Sequence, residues 1–279
     1  MKRICFVFMF LNCVFISVFS DEDYNIRKTG YYHNGETAIS FSEYGRIVMQ
    51  EYDRQEGRSA LIREGRYSTV SEHGIPFINI NWDDSKAEKY LFLFYGDNSR
   101  ILLYNSDSEP FFNGKHWDDS LGVDELGTGI QGGELFAQTK ISATSSLNNG
   151  AVVYSSDISN LAIGKPWVEG VEGQGVGEKL TFSVTQMVSI YISIGFISYN
   201  RPNLYSQNSR PSKIKVNFQG NSFFADLADT PHFQKIEIPQ GFYRTSASTI
   251  EFEFEIADIY LGARWPDTCV NSILYHFSQ

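Results

Sequence analysis

The chain has 279 residues, 42% of them hydrophobic and 15% aromatic, which is enough for one or two cores of ordinary composition. Its formal net charge of −10 weighs against nucleic acid and against an anionic membrane surface, both of which require a basic footprint. Neutral ligands such as glycans, or a basic protein face, stay open.

Residues 1–20 read as a secretion signal. Lys2 and Arg3 form the charged start, Ile4 to Phe19 the apolar run, and Val18-Phe19-Ser20 the cleavage positions. The run falls short of the ~20 residues that span a bilayer, so export is expected rather than anchoring. A lipoprotein reading would acylate Cys13, but Asn12 is bulky and polar where a small residue is required. Losing Lys2 and Arg3 takes the net charge from −10 to −12. No second hydrophobic span follows, and the mature protein is expected in the periplasm, on the outer surface or secreted. Cys5 and Cys13 leave with the signal, so Cys269 is alone and reads as a small buried hydrophobe. No Asn-x-Ser/Thr acceptor occurs after residue 20, as suits a bacterial exported protein.

Residues 21–117 predict a small N-terminal β-meander or half barrel. Strands are expected at Ala38–Tyr52, Gly65–Val70, Pro76–Trp82, Lys89–Tyr95 and Arg100–Asn105, with turns at Asp83-Asp84-Ser85 and Gly96-Asp97-Asn98. So few strands predict a barrel filled by its own side chains. Residues 118–136, rich in glycine and acid without periodicity, predict a linker. Residues 137–279 form the second unit. Leu180–Val184, Lys213–Phe218, Lys235–Ile238 and Thr249–Ile256 alternate apolar and polar residues, the pattern of a β-sandwich. The expected fold class is all-β throughout.

Nothing in this sequence is arranged for catalysis or for a cofactor. His33, His73, His116, His232 and His276 lie far apart, and no Gly-x-Ser-x-Gly elbow occurs. The glycines of 170–177 are followed by neither a Lys-Ser/Thr pair nor a helix, so they are no phosphate loop. Glu169, Asp229 and Asp267 read as turn or capping acids. Three decorated loops remain. Trp167-Val168-Glu169-Gly170 is either an aromatic platform for a sugar ring or a core Trp with Glu169 bonding nearby amides. The loop carrying Asn200, Tyr205, Asn208 and Arg210 places Arg210 just before a strand, where a buried ion pair with Glu169 or Asp267 is expected. The third, Tyr260 to Thr268, offers Trp265, next to Pro266, as an exposed binding edge.

The order SNLAIGKPWVEGVEGQGVGEKLTF, then GFISYN and NSRPSKIKV, then IEFEFEIADIYLGARWPDTCVNSI resembles the NADase-type glycan-binding domain family. That family is similar to discoidin and coagulation-factor C-type jelly rolls, and the likeness covers about residues 140–276. The resemblance implies a discoidin-like jelly roll with signature positions Trp167, Glu169, Gly170, Gly175, Gly177, Glu178, Asn200, Asn208, Arg210, Pro211, Tyr260, Gly262, Asp267 and Thr268, many of them fold-defining. Two positions depart from its pattern, since Ile163 and Ser272 stand where the family carries acids. Nothing resembles the catalytic half of a NAD glycohydrolase. The expectation is an exported, non-catalytic binding protein that recognises carbohydrate through Trp167, Glu169, Asn200, Tyr205, Asn208, Arg210, Trp265 and Asp267. The alternative is an envelope adhesion or structural protein that holds a protein partner with the same unit.

Overall fold

The computed structural model describes residues 25–53, 55–84, 86–95, 98–118, 123–124, 139–184, 189–239 and 249–276. The signal expected at 1–20, Cys13 with it, and most of the linker expected at 118–136 lie outside the described residues.

The first half is a closed barrel. Its strands are β1 (Tyr31–His33), β2 (Thr37–Phe41), β3 (Arg46–Asp53), β4 (Gly57–Glu72), β5 (Ile75–Trp82), β6 (Ala87–Tyr95), β7 (Arg100–Tyr104) and β8 (Pro110–Asp118). Each pairs antiparallel with the next, and β8 returns to β1 through Tyr31↔Trp117, Tyr32↔His116 and His33↔Lys115. A two-residue strand, β9 (Val123–Asp124), pairs with β8. Closure depends on the three-residue β1, which sequence periodicity cannot resolve. That strand turns the expected half barrel into a complete one with no open edge between first and last strands. His73 and Gly74, both at positive φ, form the two-residue turn between β4 and β5.

Side chains fill the barrel: Tyr32, Ile39, Ile47, Ile78, Phe92, Phe94, Ile101 and Leu103 are buried in one cluster. The intervening residues of β5, β6 and β7 are buried as well. Phe77, Leu91, Leu93, Leu102 and Tyr104 point out of the barrel and are equally inaccessible. Runs such as LFLFY and ILLY are continuous because both faces of these strands are covered.

The cover is the second half, a sandwich. It comprises β10 (Ile141–Ala143), β11 (Trp167–Val168), β12 (Lys179–Val184), β13 (Ser189–Ile194), α1 (Asn203–Gln207), β14 (Arg210–Phe218), β15 (Asn221–Asp226), β16 (Gln234–Ile236), β17 (Ile250–Tyr260) and β18 (Cys269–His276). One sheet has the order β10-β12-β17-β14-β15 and the other β11-β18-β13-β16. Phe182, Val216, Phe252 and Phe254 of the first pack against Ile190, Ile192 and Ile273 of the second. The four-stranded sheet is buried on its far side too. There Tyr191 and Leu274, with Ile163, Ile197 and Phe233, meet the outer wall of the barrel.

Hydrogen bonds cross the same junction. Phe233 N donates to Phe94 O (2.9 Å), Phe94 N to His232 Nδ1 (3.2 Å), Tyr199 Oη to Lys89 O (2.9 Å) and Tyr104 Oη to Leu161 O (2.8 Å). Barrel wall and sandwich thus form three packed β-layers, and neither half buries its apolar surface alone.

Candidate functional site

The three decorated loops converge at one end of the sandwich. Glu169 N donates to Thr268 O (3.2 Å), Gly195 N to Cys269 O (2.9 Å) and Ser209 N to Asp267 O (3.1 Å). Arg264 N and Trp265 N both reach Gln207 O, at 3.1 and 2.9 Å, and Gly262 N reaches Ser209 Oγ at 3.0 Å. A fourth loop joins them, with Leu147 N donating to Val168 O at 2.8 Å and Gly170 N to Ser145 Oγ at 2.8 Å.

Most of the polar and aromatic side chains expected to bind ligand face inward and hold these loops. Trp167 is fully buried in the sandwich core, and its Nε1 donates to Ser145 O at 2.8 Å. An indole covered on both faces cannot stack on a sugar, so the core alternative describes it. Glu169 is also fully buried. Its carboxylate accepts from Val171 N (2.9 Å) and Thr268 N (3.3 Å). Burial pushes its pKa up against those two bonds, and the nearby Asp267 and Glu178 charges add to the rise. A Cβ on Gly175, at φ +69°, would lie 2.4 Å from Glu169 Cγ, so glycine lets this loop close over the carboxylate.

Tyr205, 2% exposed, is no platform either. It belongs to the cluster shared with the barrel, and its ring packs where Cβ atoms on Gly195 and Gly74 would approach to 2.7 and 3.1 Å. Asn208 is buried and closes α1 by donating Nδ2–H to Leu204 O at 2.9 Å. Arg210 is buried, and its partner is neither Glu169 nor Asp267. Both carboxylate oxygens of Asp229 accept from it, while Nη1 donates to the carbonyls of Asn208 (3.3 Å) and Tyr205 (3.4 Å). The guanidinium also sits 4.8 Å from the Tyr205 ring centroid, and Tyr205 Oη donates to Asp229 Oδ1 at 3.1 Å. Burial opposes the charge on Arg210, and the Asp229 carboxylate more than offsets it, so the pKa rises. Asp229 carried no signal in the sequence beyond a turn-type acid.

Three expected residues reach solvent. Asn200 is exposed and spends its Nδ2 on Ser106 O of the barrel half, at 3.3 Å. Asp267 is half-buried. Trp265 is half-buried, packed on the cluster of Val168, Phe196, Leu204 and Cys269, with the Arg264 guanidinium 4.3 Å from its ring centroid. Cys269 is buried, and burial, then the Asp267 and Glu169 charges, push its thiol pKa far up.

Among polar neighbours such as Asn149, Glu172 and Gln174, the loop end shows five aliphatic side chains to solvent. Val152 is 47% exposed, Val153 59%, Val171 41%, Val176 56% and Leu261 65%. Arg201 and Arg264, on the converging loops, are exposed as well, each over an aromatic ring. These tips were the part that sequence reasoning missed. Their signal is one or two branched aliphatics inside a Gly-, Asn- or acid-rich loop.

Among the described residues no group of three or more His, Cys, Asp or Glu is placed to hold a metal ion, and no helix is long and apolar enough to cross a membrane. No curated protein matches the chain. Residues 131–276 match the NAD glycohydrolase translocation F5/8 type C domain, a discoidin-like class of binding and translocation domain. That match covers more than half of the 279 residues and agrees with the sandwich and its converging loops, and the chain belongs to that family.

Proposed function

We propose that the protein is an exported, non-catalytic binding protein whose sandwich loop end docks on a macromolecular partner. One observation carries this reading. Five exposed aliphatic tips and two exposed arginines sit on loops that buried Trp167, Glu169, Asn208 and Arg210 lock together. Exposed apolar side chains with arginine on the same set of loops, on a preorganised frame, match the composition of a protein interface. The partner of this reading is an envelope protein, and the barrel serves as the rigid body that presents the loops.

Carbohydrate recognition is the second reading, and Trp265 favours it. Of the three aromatics expected to hold a sugar it is the one with accessible ring surface. Asp267, half-buried nearby, is available to take a hydroxyl.

The test uses residues 21–279, because the barrel covers one face of the sandwich. Wild type and a Val171→Ser/Val176→Ser/Leu261→Ser variant are immobilised and exposed to envelope extract and to a glycan array. Loss of a sugar-insensitive protein partner in the folded variant supports the first reading. A glycan signal that survives in this variant and disappears in Trp265→Ala supports the second.

A further inference from the structure

β14 and β15 are joined by a two-residue turn, Gln219-Gly220, with both residues at positive φ (48° and 77°). A turn of that kind makes the flanking residues, Phe218 and Asn221, exchange both of their backbone hydrogen bonds. Bonded and non-bonded pairs alternate along an antiparallel ladder, so Phe223 and Ala225 spend their backbone groups on Val216 and Ile214. The amides and carbonyls of Ser222, Phe224 and Asp226 therefore point away from β14. β15 ends its sheet, and no backbone group elsewhere among the described residues takes up those three positions. All three residues are exposed, Phe224 to 62%, while Phe223 and Ala225 pack on the sandwich core. An open edge that carries a large apolar side chain is a template for another strand.

We propose that β15 pairs with β15 of a second copy, antiparallel about a two-fold axis through Phe224, joining two five-stranded sheets into one. In that register Phe224 lies opposite its own copy and Ser222 lies opposite Asp226 on either side of the axis. Every open position becomes a bonded pair, which supplies about six backbone hydrogen bonds. The side chains fit as well. Within each chain Phe224 stands beside Lys215, and Lys215 beside Glu255, so the row across the axis is apolar at its centre with opposite charges adjacent on both flanks. The Ser222 hydroxyl meets the Asp226 carboxylate, which keeps 83% of its accessibility while paired to Lys213 at 3.1 Å. On the inner face Phe223 lies opposite Ala225, large against small.

Neighbouring registers are worse. Opposed residues share a face of the sheet, so the axis must pass through a residue rather than between two. An axis through Phe223 sets Phe224 against Ser222 and runs Asp226 into the turn at Gly220. An axis through Ala225 sets Phe224 against the Asp226 carboxylate. β15 has six residues, a small contact, so the dimer exchanges with monomer rather than persisting as an obligate pair.

Sedimentation equilibrium of residues 21–279 over roughly a hundredfold concentration range reads this directly. A monomer–dimer equilibrium is expected. Phe224→Asp and Phe224→Lys each set like charges against one another on the axis and should weaken it roughly tenfold or more. Mixed together, the two variants place Asp opposite Lys and should associate again. Both substitutions are at an exposed side chain, and circular dichroism checks that each variant folds. Independently, Phe224→Cys under mild oxidation should give an interchain disulfide, because residues in a bonded antiparallel pair lie about 5.5 Å apart at Cα. Ser222→Cys is the control: it is exposed on the same edge, but its two copies fall roughly 13 Å apart, out of disulfide reach. Buried Cys269 stays silent. A monomer at every concentration overturns the proposal. So does a mixture no more associated than either variant alone, or cross-linking at position 222 as fast as at 224.

Discussion

Asp229 holds Arg210 through both carboxylate oxygens, and the pair ties the loop end of the sandwich to the segment that meets the barrel. Three residues after Asp229, His232 and then Phe233 bond both backbone groups of Phe94 in β6. One short stretch therefore anchors the loop frame and the junction together. Arg210 is buried while the Asp229 side chain keeps 40% of its accessibility, so the pair is partly screened. Asp229→Ala leaves the guanidinium without its counter-ion and should cost about 2 kcal/mol, below the range for fully buried pairs. Urea denaturation of residues 21–279 measures it.

Ile163 and Ser272, where the chain departs from the acidic pattern of its family resemblance, both lie on the face that the barrel covers. Ile163 is 1% exposed within the shared apolar cluster, and its amide bonds Ser108 O at 2.8 Å. Ser272 is fully buried and donates to Asn160 O. An acid at either position would be taken out of water by the barrel, which gives a physical reason for an uncharged residue there. Ile163→Asp should destabilise the chain by about 3 kcal/mol or more and expose dye-binding apolar surface at the junction. A thermal melt in the presence of a hydrophobic dye is the check.

His232 makes the junction sensitive to acid. Burial lowers its pKa from 6.5 to about 4, and its Nδ1 must stay unprotonated to accept from Phe94 N. The unfolded chain protonates this ring below pH 6.5 and the native one does not until about 4. Its contribution is complete above 6.5 and shrinks as pH falls toward 4. His232→Asn keeps an acceptor but does not titrate. Wild type should therefore lose about 2 kcal/mol more than the variant between pH 7 and 4.5. Stability measured at both pH values isolates this group, because His33, which burial also lowers to about 4, titrates alike in both proteins.

Much of the fold was legible in the alternation of single segments. LTFSV falls within β12, KIKVNF within β14 and IEFEFEI within β17, each with one face in the core. Closure of the barrel was not legible, because it turns on a three-residue strand pairing 82 to 86 positions away. Double burial was written in the sequence as LFLFY and ILLY, continuous apolar runs where single-faced strands alternate. The site was harder. Residue type marked Trp167, Glu169, Tyr205 and Arg210 as unusual, and they are, but periodicity says nothing of whether a loop side chain faces in or out. The partner of Arg210 lies nineteen residues away in a turn with no distinguishing pattern.

On the proposed reading the exposed tips bind while the buried aromatics hold the frame. The most direct test compares partner capture and melting for wild type, Val171→Ser/Val176→Ser/Leu261→Ser and Trp167→Ala, all as residues 21–279. The tip variant should melt like wild type and lose its partner. Trp167→Ala should lose about 3–5 kcal/mol of stability, as truncation of a fully buried Trp does. A tip variant that captures its partner undiminished, or a Trp167→Ala protein that melts like wild type and fails to bind, would contradict it.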